Sequence, residues 1–398
     1  MIKSIQLTNF FSFKEELIPL HENINSLIGV NGAGKTNVLK AVELLKKLGQ
    51  ENGLQNWMET QGGFEQVYCR VNDLEVFPQT IGLSFTFDAE KLAETYDVEL
   101  PKELIQYKIK IIKASKSASY TLKEEVRTVD AVYEEIVDET RRIVKIVEQN
   151  SSLVQETLPL ESMPHLSSLA QINSYHKSTL PLHWAIKAFT QDIELYPYFD
   201  VTPNSPMRQA QIIDNEKNRL LSDGQNLAQV LWHIKNNYSE QYEEILKKLW
   251  SVNYNNKALE FNFTIDNQLE LFFVEEQLNA PTSIKQVSDG ILQKLCLLAI
   301  LLNPDRGKFI CIEKPEEHIY PFQRNFSISS LYHIEDSTFL YTTHYPELTD
   351  SLRVHHIITV MKFNQNVSEI DIYTEDEFKG IYDRILLSEL WNNGEIGR

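Results

Sequence analysis

The chain has 398 residues, 42% of them hydrophobic, so it is long enough to bury a large core and to form two or three lobes. Acidic residues outnumber basic residues by 56 to 38, and the net charge of −18 excludes a protein that wraps nucleic acid over its whole surface. The three cysteines, Cys69, Cys296 and Cys311, are too far apart in the sequence for a zinc knuckle. The N-terminus is too polar for a signal peptide, and the longest apolar run, Leu295–Leu302, is too short for a membrane span. These features favour a cytoplasmic location.

Strands and one helix are predicted for the first part of the chain. IKSIQL and INSLIGV alternate in a strand-like way, and the helix NVLKAVELLKKL follows them. Between about residues 80 and 128, the segments IGLSFTF, IQYKIKII and SYTLKEEV alternate with period two and predict a β layer.

The pattern becomes helical from about residue 129 to 250. DAVYEEIVDETRRIVKIVEQ, NLAQVLWHIKNN and SEQYEEILKKLW carry apolar residues at three- and four-residue spacing. No heptad run lasts three repeats, which excludes a long coiled coil. Prolines separate the segments, so we expect a compact helical lobe with loops: Pro159, Pro164, Pro181, Pro197, Pro203 and Pro206.

The last part of the chain, 251–398, returns to strands. LEFNFTIDNQLELFF predicts a hairpin that turns at Asp266 and Asn267. The helix GILQKLCLLAILL, the buried strands KFICIE and TFLYTTH, and a C-terminal tail follow it. This order indicates an α/β domain in two halves, with a helical lobe inserted between them.

Gly29-Val30-Asn31-Gly32-Ala33-Gly34-Lys35-Thr36 matches GxxxxGK[ST] between an apolar strand and a helix, which is the setting that a P-loop requires. Its glycines let backbone N–H groups surround a β-phosphate, Lys35 reaches the β- and γ-phosphates, and the Thr36 hydroxyl ligates Mg²⁺. The alternative is a glycine-rich turn with a chance lysine, which the flanking strand and helix disfavour.

Ser288 and Gly290, in Val-Ser-Asp-Gly before an apolar helix, are the second candidate phosphate contact. An ordinary N-cap formed by Ser288 or Asp289 is the alternative. The position of this motif, about twenty residues before the strand FICIE, favours phosphate binding.

Two strand ends supply the candidate catalytic residues Glu313, Lys314 and His344. Glu313 ends the strand FICI, where a nucleotide-bound metal needs a carboxylate; a solvated acidic turn is the alternative. His344 follows two threonines and could hydrogen-bond a γ-phosphate, although a lone histidine is more often structural.

Together these motifs resemble the SMC/RecF/OLD-like branch of the ABC ATPases, in the AAA_21/AAA_15-like group of predicted ATPases from bacterial anti-phage systems. The resemblance covers about 1–90 and 205–398, and it rests on an ordered set of phrases: IQLTNFFSF, GVNGAGKTN, LLSDGQNLAQVL, VSDGILQKLCLLAILLNP, EKPEEHIYP, TTHYPEL and LSELWNNGEIG.

The resemblance implies an ABC-type P-loop ATPase head with an antiparallel β layer and a helical insertion lobe. The N-terminal half of the head would span 1–128, the lobe 129–250 and the C-terminal half 251–398. ATP would be held between the heads of a homodimer, and Thr36 and Glu313 would hold Mg²⁺. The second subunit would supply Ser288 and Gly290, and His344 would sense the γ-phosphate. The residues implied for nucleotide binding are Gly29, Asn31, Gly32, Ala33, Gly34, Lys35, Thr36, Asn37, Ser288 and Gly290.

Two positions depart from the family pattern. Lys314 replaces the usual second glutamate, and Tyr320 replaces the usual histidine before Pro321. A lysine is protonated at neutral pH and cannot accept a proton from water, so we expect tight ATP binding and slow hydrolysis. Gln66 and Gln79 are the candidates for the Q-loop glutamine.

We expect an ATP-switched dimeric sensor or scaffold that controls a separate effector, such as a nuclease or toxin. The alternative is a RecF-like repair ATPase that binds DNA through a basic strip, although that strip is also typical of a solvated strand face; it comprises Lys108, Lys110, Lys113, Lys116 and Lys123. The lack of a full LSGGQ disfavours a transporter subunit. The 54 residues after His344 are too few for a Toprim nuclease domain.

Overall fold

A computed structural model describes most of the chain, which divides into two compact units. The first unit comprises 1–193 and 353–398, and the second comprises 194–352. The described residues are 1–69, 78–113, 115, 119–129, 131–137, 142–148, 154–160, 166–214, 217–250, 256–275, 278–319, 334, 336–362, 367–377 and 386–397. Within these ranges only the backbone is described for 134–137, 142–148, 154–160, 256–257 and 275.

The first unit contains a large mixed sheet and short helices. Its strands are β1 (Ile2–Phe10), β2 (Phe13–Pro19), β3 (Ile24–Ile28), β4 (Gln79–Asp88), β5 (Leu104–Lys113), β6 (Thr121–Arg127), β7 (Ala131–Val137), β8 (Arg142–Glu148), β9 (Val154–Leu160), β16 (Ile357–Lys362) and β17 (Ser368–Ile372). Its helices are α1 (Lys35–Leu48), α2 (Gly53–Thr60), α3 (Phe64–Val67), α4 (Ala89–Tyr96), α5 (Ser168–Gln171), α6 (Pro181–Gln191) and α10 (Leu387–Asn392).

Strand order in this sheet is β3-β16-β17-β2-β1-β4-β5-β6-β7-β8-β9. β3 and β16 pair in parallel, whereas the strands from β2 through β1, β4, β5 and onwards pair antiparallel. All five residues of β3 are buried, as expected for a strand covered on both faces. β5 instead alternates buried and less buried residues, which fits a layer with one solvated face. The predicted antiparallel β layer is confirmed.

The helical prediction for residues 130–149 is wrong. This segment forms β7 and β8, which pair antiparallel from Ala131 opposite Glu148 to Val137 opposite Arg142. Its apolar residues are mainly valine and isoleucine, whose branched side chains favour strands, and β6 offers an edge to which β7 pairs. Pro159, predicted in a loop, lies in the edge strand β9, where a missing N–H is tolerated.

The described part of the second unit contains a parallel pair, a small antiparallel sheet and three helices. Its elements are β10 (Ile193–Tyr196, at the boundary), α7 (Leu227–Asn237), α8 (Ser239–Leu249), β11 (Asn256–Phe263), β12 (Leu269–Glu275), β13 (Thr282–Ser283), α9 (Asp289–Leu301), β14 (Phe309–Glu313) and β15 (Thr338–Thr342). β14 and β15 pair in parallel, with Glu313 opposite Thr342 at their carboxyl ends.

The predicted hairpin is confirmed. β11 and β12 pair antiparallel, and the turn between them has Asn267 in the left-handed region at φ 59°. The helices predicted at α7, α8 and α9 are also present. Among the described helices, none is long and apolar enough to cross a membrane.

Candidate nucleotide-binding site

The P-loop connects β3 to α1 in the first unit. Gly29, Gly32 and Gly34 all have positive φ, at 135°, 77° and 119°. A side chain in these conformations would be strained, so the loop needs glycine to place its N–H groups in this arrangement. The buried strand β3 fixes one end of the loop and the N-terminus of α1 fixes the other.

Gly29 also approaches the neighbouring strand closely. A Cβ added at Gly29 would lie 2.1 Å from the carbonyl oxygen of Val360 on β16. Gly32 has no neighbour within 4 Å of an added Cβ, so its free side faces open space where a ligand could approach. The two glycines are therefore required for different reasons.

Lys35 is 5% exposed and lies within the loop. Its ammonium group donates hydrogen bonds to the carbonyl oxygens of Gly29 and Val30, at 2.7 and 3.0 Å. The first turn of α1 carries no acidic residue, and Thr36 beside Lys35 is exposed. A helix N-terminus with a lysine, an accessible hydroxyl and no carboxylate fits a phosphate group with its Mg²⁺.

A chain of hydroxyl groups supports the loop from behind. The Asn37 amide donates to Ser12 Oγ at 3.0 Å, Ser12 and Ser368 are linked at 2.6 Å, and Ser368 donates to the Ala33 carbonyl. Sequence reasoning missed Ser368, because it lies 335 positions after Ala33. Ser12, in the opening phrase NFFSF, carried a signal only through the family resemblance.

Glu313 and Lys314 lie at the end of β14 in the second unit. Glu313 is half-buried and ends the strand. Lys314 has a left-handed backbone at φ 47°, and its N–H donates to the carbonyl and the hydroxyl of Thr342, each at 3.1 Å. The Lys314 ammonium is 3.9 Å from the Glu317 carboxylate, and its side chain is 38% exposed. The strand pair therefore fixes the backbone of Lys314 at the strand end.

His344 follows β15 and is connected to the turn after β14. The buried Glu316 carboxylate accepts hydrogen bonds from the Thr343 hydroxyl at 2.8 Å and the His344 N–H at 3.1 Å. Glu316 lies three residues after Glu313, in the phrase EKPEEHIYP. Its contacts give it a positioning role for the segment that carries His344.

Ser288 and Gly290 start α9 in the second unit. Ser288 occupies the N-cap position with an extended backbone, is exposed and makes no side-chain cap bond. A Cβ added at Gly290 would lie 2.6 Å from the carbonyl oxygen of His318, so glycine is needed there for close backbone contact. The Val-Ser-Asp-Gly turn thus contacts the turn that follows Glu313.

Arg208 is a buried residue that sequence reasoning missed. It is 2% exposed and donates to the carbonyl oxygens of Val201, Ile284 and Val287, while its NH2 group contacts Asp289 Oδ1 at 2.6 Å. Its position in a short 3₁₀ helix, 80 residues before Ser288, gives no sequence signal for this contact.

The remaining candidates have varied environments. Gln66 is exposed in α3, whereas Gln79 starts β4 and its buried Oε1 has no hydrogen-bond partner among the described residues. Lys113 is buried and paired with Glu65, so it does not belong to an exposed basic strip. Tyr320, Pro321 and Lys116 lie outside the described residues. No cluster of His, Cys, Asp and Glu that could hold a metal ion is present in the described ranges.

Comparisons with solved structures place this fold among SMC heads. A crystal structure of an SmcHead bound to the C-winged helix domain of ScpA is 13% identical, with a TM-score of 0.61 over 94% of this chain and 99% of that chain. An Smc head domain from Pyrococcus furiosus, bound to the C-terminal domain of ScpA, is 12% identical, with a TM-score of 0.55 over 96% of this chain and 98% of that chain.

Sequence comparison gives a short curated relative and a family. The DNA replication and repair protein RecF of Lactococcus lactis subsp. lactis (strain IL1403) is 30% identical over 79 residues, which is 18% of this chain and 22% of the relative's length. The family model that matches residues 24–350 is AAA_21, described as "AAA domain, putative AbiEii toxin, Type IV TA system".

The fold and the P-loop define an ABC-type ATPase of the SMC/RecF-like class. The P-loop lies in the first compact unit, and the strand-end residues lie in the second. Within that class, the chain belongs to the AAA_21 family.

Proposed function

We propose that the chain binds ATP and Mg²⁺ between the heads of a homodimer and that the ATP-bound dimer is a long-lived scaffold. The observation that carries the proposal is the P-loop, with three glycines at positive φ around a buried Lys35. Thr36 and Glu313 would hold Mg²⁺, which supplies charge neutralisation for the phosphates. Ser288, exposed at the start of α9, would contact the γ-phosphate bound to the other subunit.

ATP should therefore drive engagement of the heads. We would place cysteines at Val30, which is 52% exposed, and at Gln286, and measure cross-linking with and without ATP-Mg²⁺. The native cysteines are all buried and should not interfere. Lys35→Ala and Ser288→Arg should each abolish the ATP-dependent cross-link. A cross-link that survives both substitutions would contradict the composite site.

Hydrolysis should be slow because Lys314 stands where a general base is needed. General-base help contributes about 10²- to 10⁴-fold, so Lys314→Glu should raise the single-turnover rate within that range and weaken ATP retention. Glu317→Gln is the matched control, since it removes the carboxylate that faces the Lys314 ammonium without supplying a base. Rapid wild-type turnover that Lys314→Ala destroys would mean that Lys314 itself takes part in the chemistry.

The biological role that we propose is a sensor or scaffold in an anti-phage defence complex with a separate effector, a nuclease or a toxin. The description of the AAA_21 family, which names a putative toxin and a Type IV TA system, supports a role in a system of this kind. The product of the adjacent gene is the first protein to test by co-purification.

We place the partner surface within 129–250. Tyr175, in the first unit, and Ile212, in the second unit, are 87% and 75% exposed, so each is accessible to a partner. Tyr175→Ser with Ile212→Ser should abolish effector co-purification while ATP binding stays intact. Leu17→Ser is the control, since Leu17 is 57% exposed and lies outside the region. Retention of the effector by the double variant would exclude these residues as the contact.

The second candidate function is a RecF-like DNA repair ATPase, which the short match to RecF favours. Lys110 and Lys123 lie opposite each other on β5 and β6, and both are exposed. If this strip contacts phosphates, Lys110→Gln with Lys123→Gln should weaken binding to a fluorescent DNA gap and reduce its salt dependence. Binding that is unchanged, or absent in the wild type at low salt, would argue against DNA at this face.

A further inference from the structure

Arg208 connects two separate segments of the second unit. It ends the 3₁₀ helix Pro206–Arg208, and its Nε and NH2 groups both donate to the Val201 carbonyl, at 3.1 and 2.9 Å. Its NH1 group reaches the 3₁₀ turn before α9, donating to the Ile284 carbonyl at 2.9 Å. A planar guanidinium with five N–H donors can hold several acceptors in this fixed geometry, which a lysine cannot do.

The contacts of Arg208 lie on both sides of Ser288. NH1 donates to the carbonyl oxygen of Val287 at 2.7 Å, and NH2 contacts Asp289 Oδ1 at 2.6 Å. Ser288 stands between these two residues, with an extended backbone at φ −65° and ψ 149° and an exposed side chain without a cap bond. The residues before and after Ser288 are thus fixed while its hydroxyl stays at the surface.

The energetic cost of this arrangement indicates that it does more than fill the core. Desolvating a buried guanidinium costs free energy. The backbone carbonyl groups that accept its hydrogen bonds could instead be paired with N–H groups in a regular turn. The Asp289 side chain is 50% exposed, so its carboxylate is partly desolvated where it contacts Arg208. The contact orders the surface turn that carries Ser288. An ordered Ser288 loses less conformational entropy when it binds a ligand than a mobile one would.

We propose that Arg208 is the positioning residue for Ser288, holding the Val287–Asp289 turn in the conformation that closes on the ATP bound by the other subunit. This inference rests on the proposed ATP-dependent engagement of heads. It predicts that Arg208 affects the nucleotide site of the partner chain and leaves ATP binding to the P-loop of its own chain unchanged.

The test uses Arg208→Lys, which keeps the positive charge, in full-length protein with the Val30 and Gln286 cysteines. ATP affinity of the unengaged chain should equal that of wild type. ATP-dependent cross-linking should need a protein concentration roughly tenfold to a hundredfold higher, the effect of losing one or two hydrogen bonds to a charged group. Asp289→Ala, at a half-exposed position, should weaken engagement in the same direction, and urea unfolding of this variant shows whether it remains folded.

Arg306→Lys is the matched control. Arg306 lies in the same unit beyond the other end of α9, and it also donates to backbone carbonyls, those of Leu301 and Asn303. The Arg306→Lys substitution should leave ATP-dependent cross-linking of the heads unchanged. If Arg306→Lys and Arg208→Lys reduce engagement equally, the effect is one of general stability and the inference is wrong.

A mixing experiment distinguishes a positioning role of Arg208 from a purely structural role. Lys35→Ala chains lack a working P-loop and Arg208→Lys chains have a weakened Ser288 turn, so at a protein concentration that just suffices for the wild type neither should cross-link alone. Mixed with different tags, they should form one complete site and cross-link only to each other. Failure to cross-link in the mixture, or normal engagement by Arg208→Lys alone, overturns the inference. Failure of the wild type to cross-link with ATP overturns the proposed function instead.

Discussion

Lys294 is a buried lysine in the apolar helix α9 of the second unit, and it offers a test of how this unit is stabilised. It lies on α9, is 1% exposed, and donates a hydrogen bond to the Leu249 carbonyl at 3.1 Å. Burial lowers the pKa of Lys294 from 10.5 to about 8, because the charged ammonium is poorly solvated there. At pH 7 the folded protein therefore keeps a costly charge.

The magnitude follows from the pKa. Since each pH unit of a pKa change corresponds to about 1.36 kcal/mol, a pKa lowered from 10.5 to about 8 means that the charge costs about 3 kcal/mol at pH 7. Lys294→Met removes this cost and keeps most of the side-chain volume. It loses the hydrogen bond to Leu249, which is worth about 1 kcal/mol. We expect Lys294→Met to raise the free energy of unfolding of the second unit by about 2 kcal/mol.

The pH dependence has a defined sign. Between pH 8 and 10.5 the folded state has lost the Lys294 proton while the unfolded state still holds it, so wild-type stability should rise with pH in this window. The variant should lack this rise. Urea unfolding at pH 7 and pH 9.5, followed by tryptophan fluorescence, measures both quantities, and the difference between wild type and variant cancels the other titrating groups.

Lys247→Met on α8 is the control, because Lys247 is exposed and its replacement should alter neither stability nor its pH dependence. The reasoning is refuted if Lys294→Met is less stable than wild type at pH 7, or if both show the same rise up to pH 9.5. Either result would mean that the hydrogen bonds of the ammonium outweigh its desolvation.

Three further substitutions test the site and its support. Gly290→Ala places a methyl group 2.6 Å from the His318 carbonyl and should cost about 1 to 3 kcal/mol in urea unfolding; an unchanged midpoint would show that the two turns separate easily. Ser368→Ala removes the hydroxyl beneath the P-loop and should weaken ATP binding several-fold by calorimetry, since a hydrogen bond is worth about 1 kcal/mol; equal affinity would make the serine dispensable. Burial lowers the pKa of His183 from 6.5 to about 4. As the pH falls from 6.5 to 4, the unfolded state binds a proton that the folded state does not, so the stability of the wild type should decrease. His183→Gln should remove about 3 kcal/mol of this decrease, and an unchanged acid transition would contradict the prediction.

Features that depend on a short run of neighbouring residues were determined by the sequence alone. The P-loop is eight consecutive residues between a strand and a helix, and its glycine backbone angles follow from that local pattern. The β11–β12 hairpin turns at Asp266 and Asn267 for the same reason, since asparagine accepts a left-handed conformation. Strands β4 to β6 were recognisable because one face of the layer is solvated and the other buried.

Tertiary structure alone decided the features that join distant parts of the chain. Segment 130–149 has apolar spacing compatible with both helix and strand, and the pairing of β7 with the edge of β6 favoured the strand. The links from Ser368 to Ala33 and from Arg208 to the Ser288 turn join residues 335 and about 80 positions apart. Such contacts leave no periodic trace, because a hydrogen bond depends on where the fold places two atoms and not on the spacing of their residues in the chain.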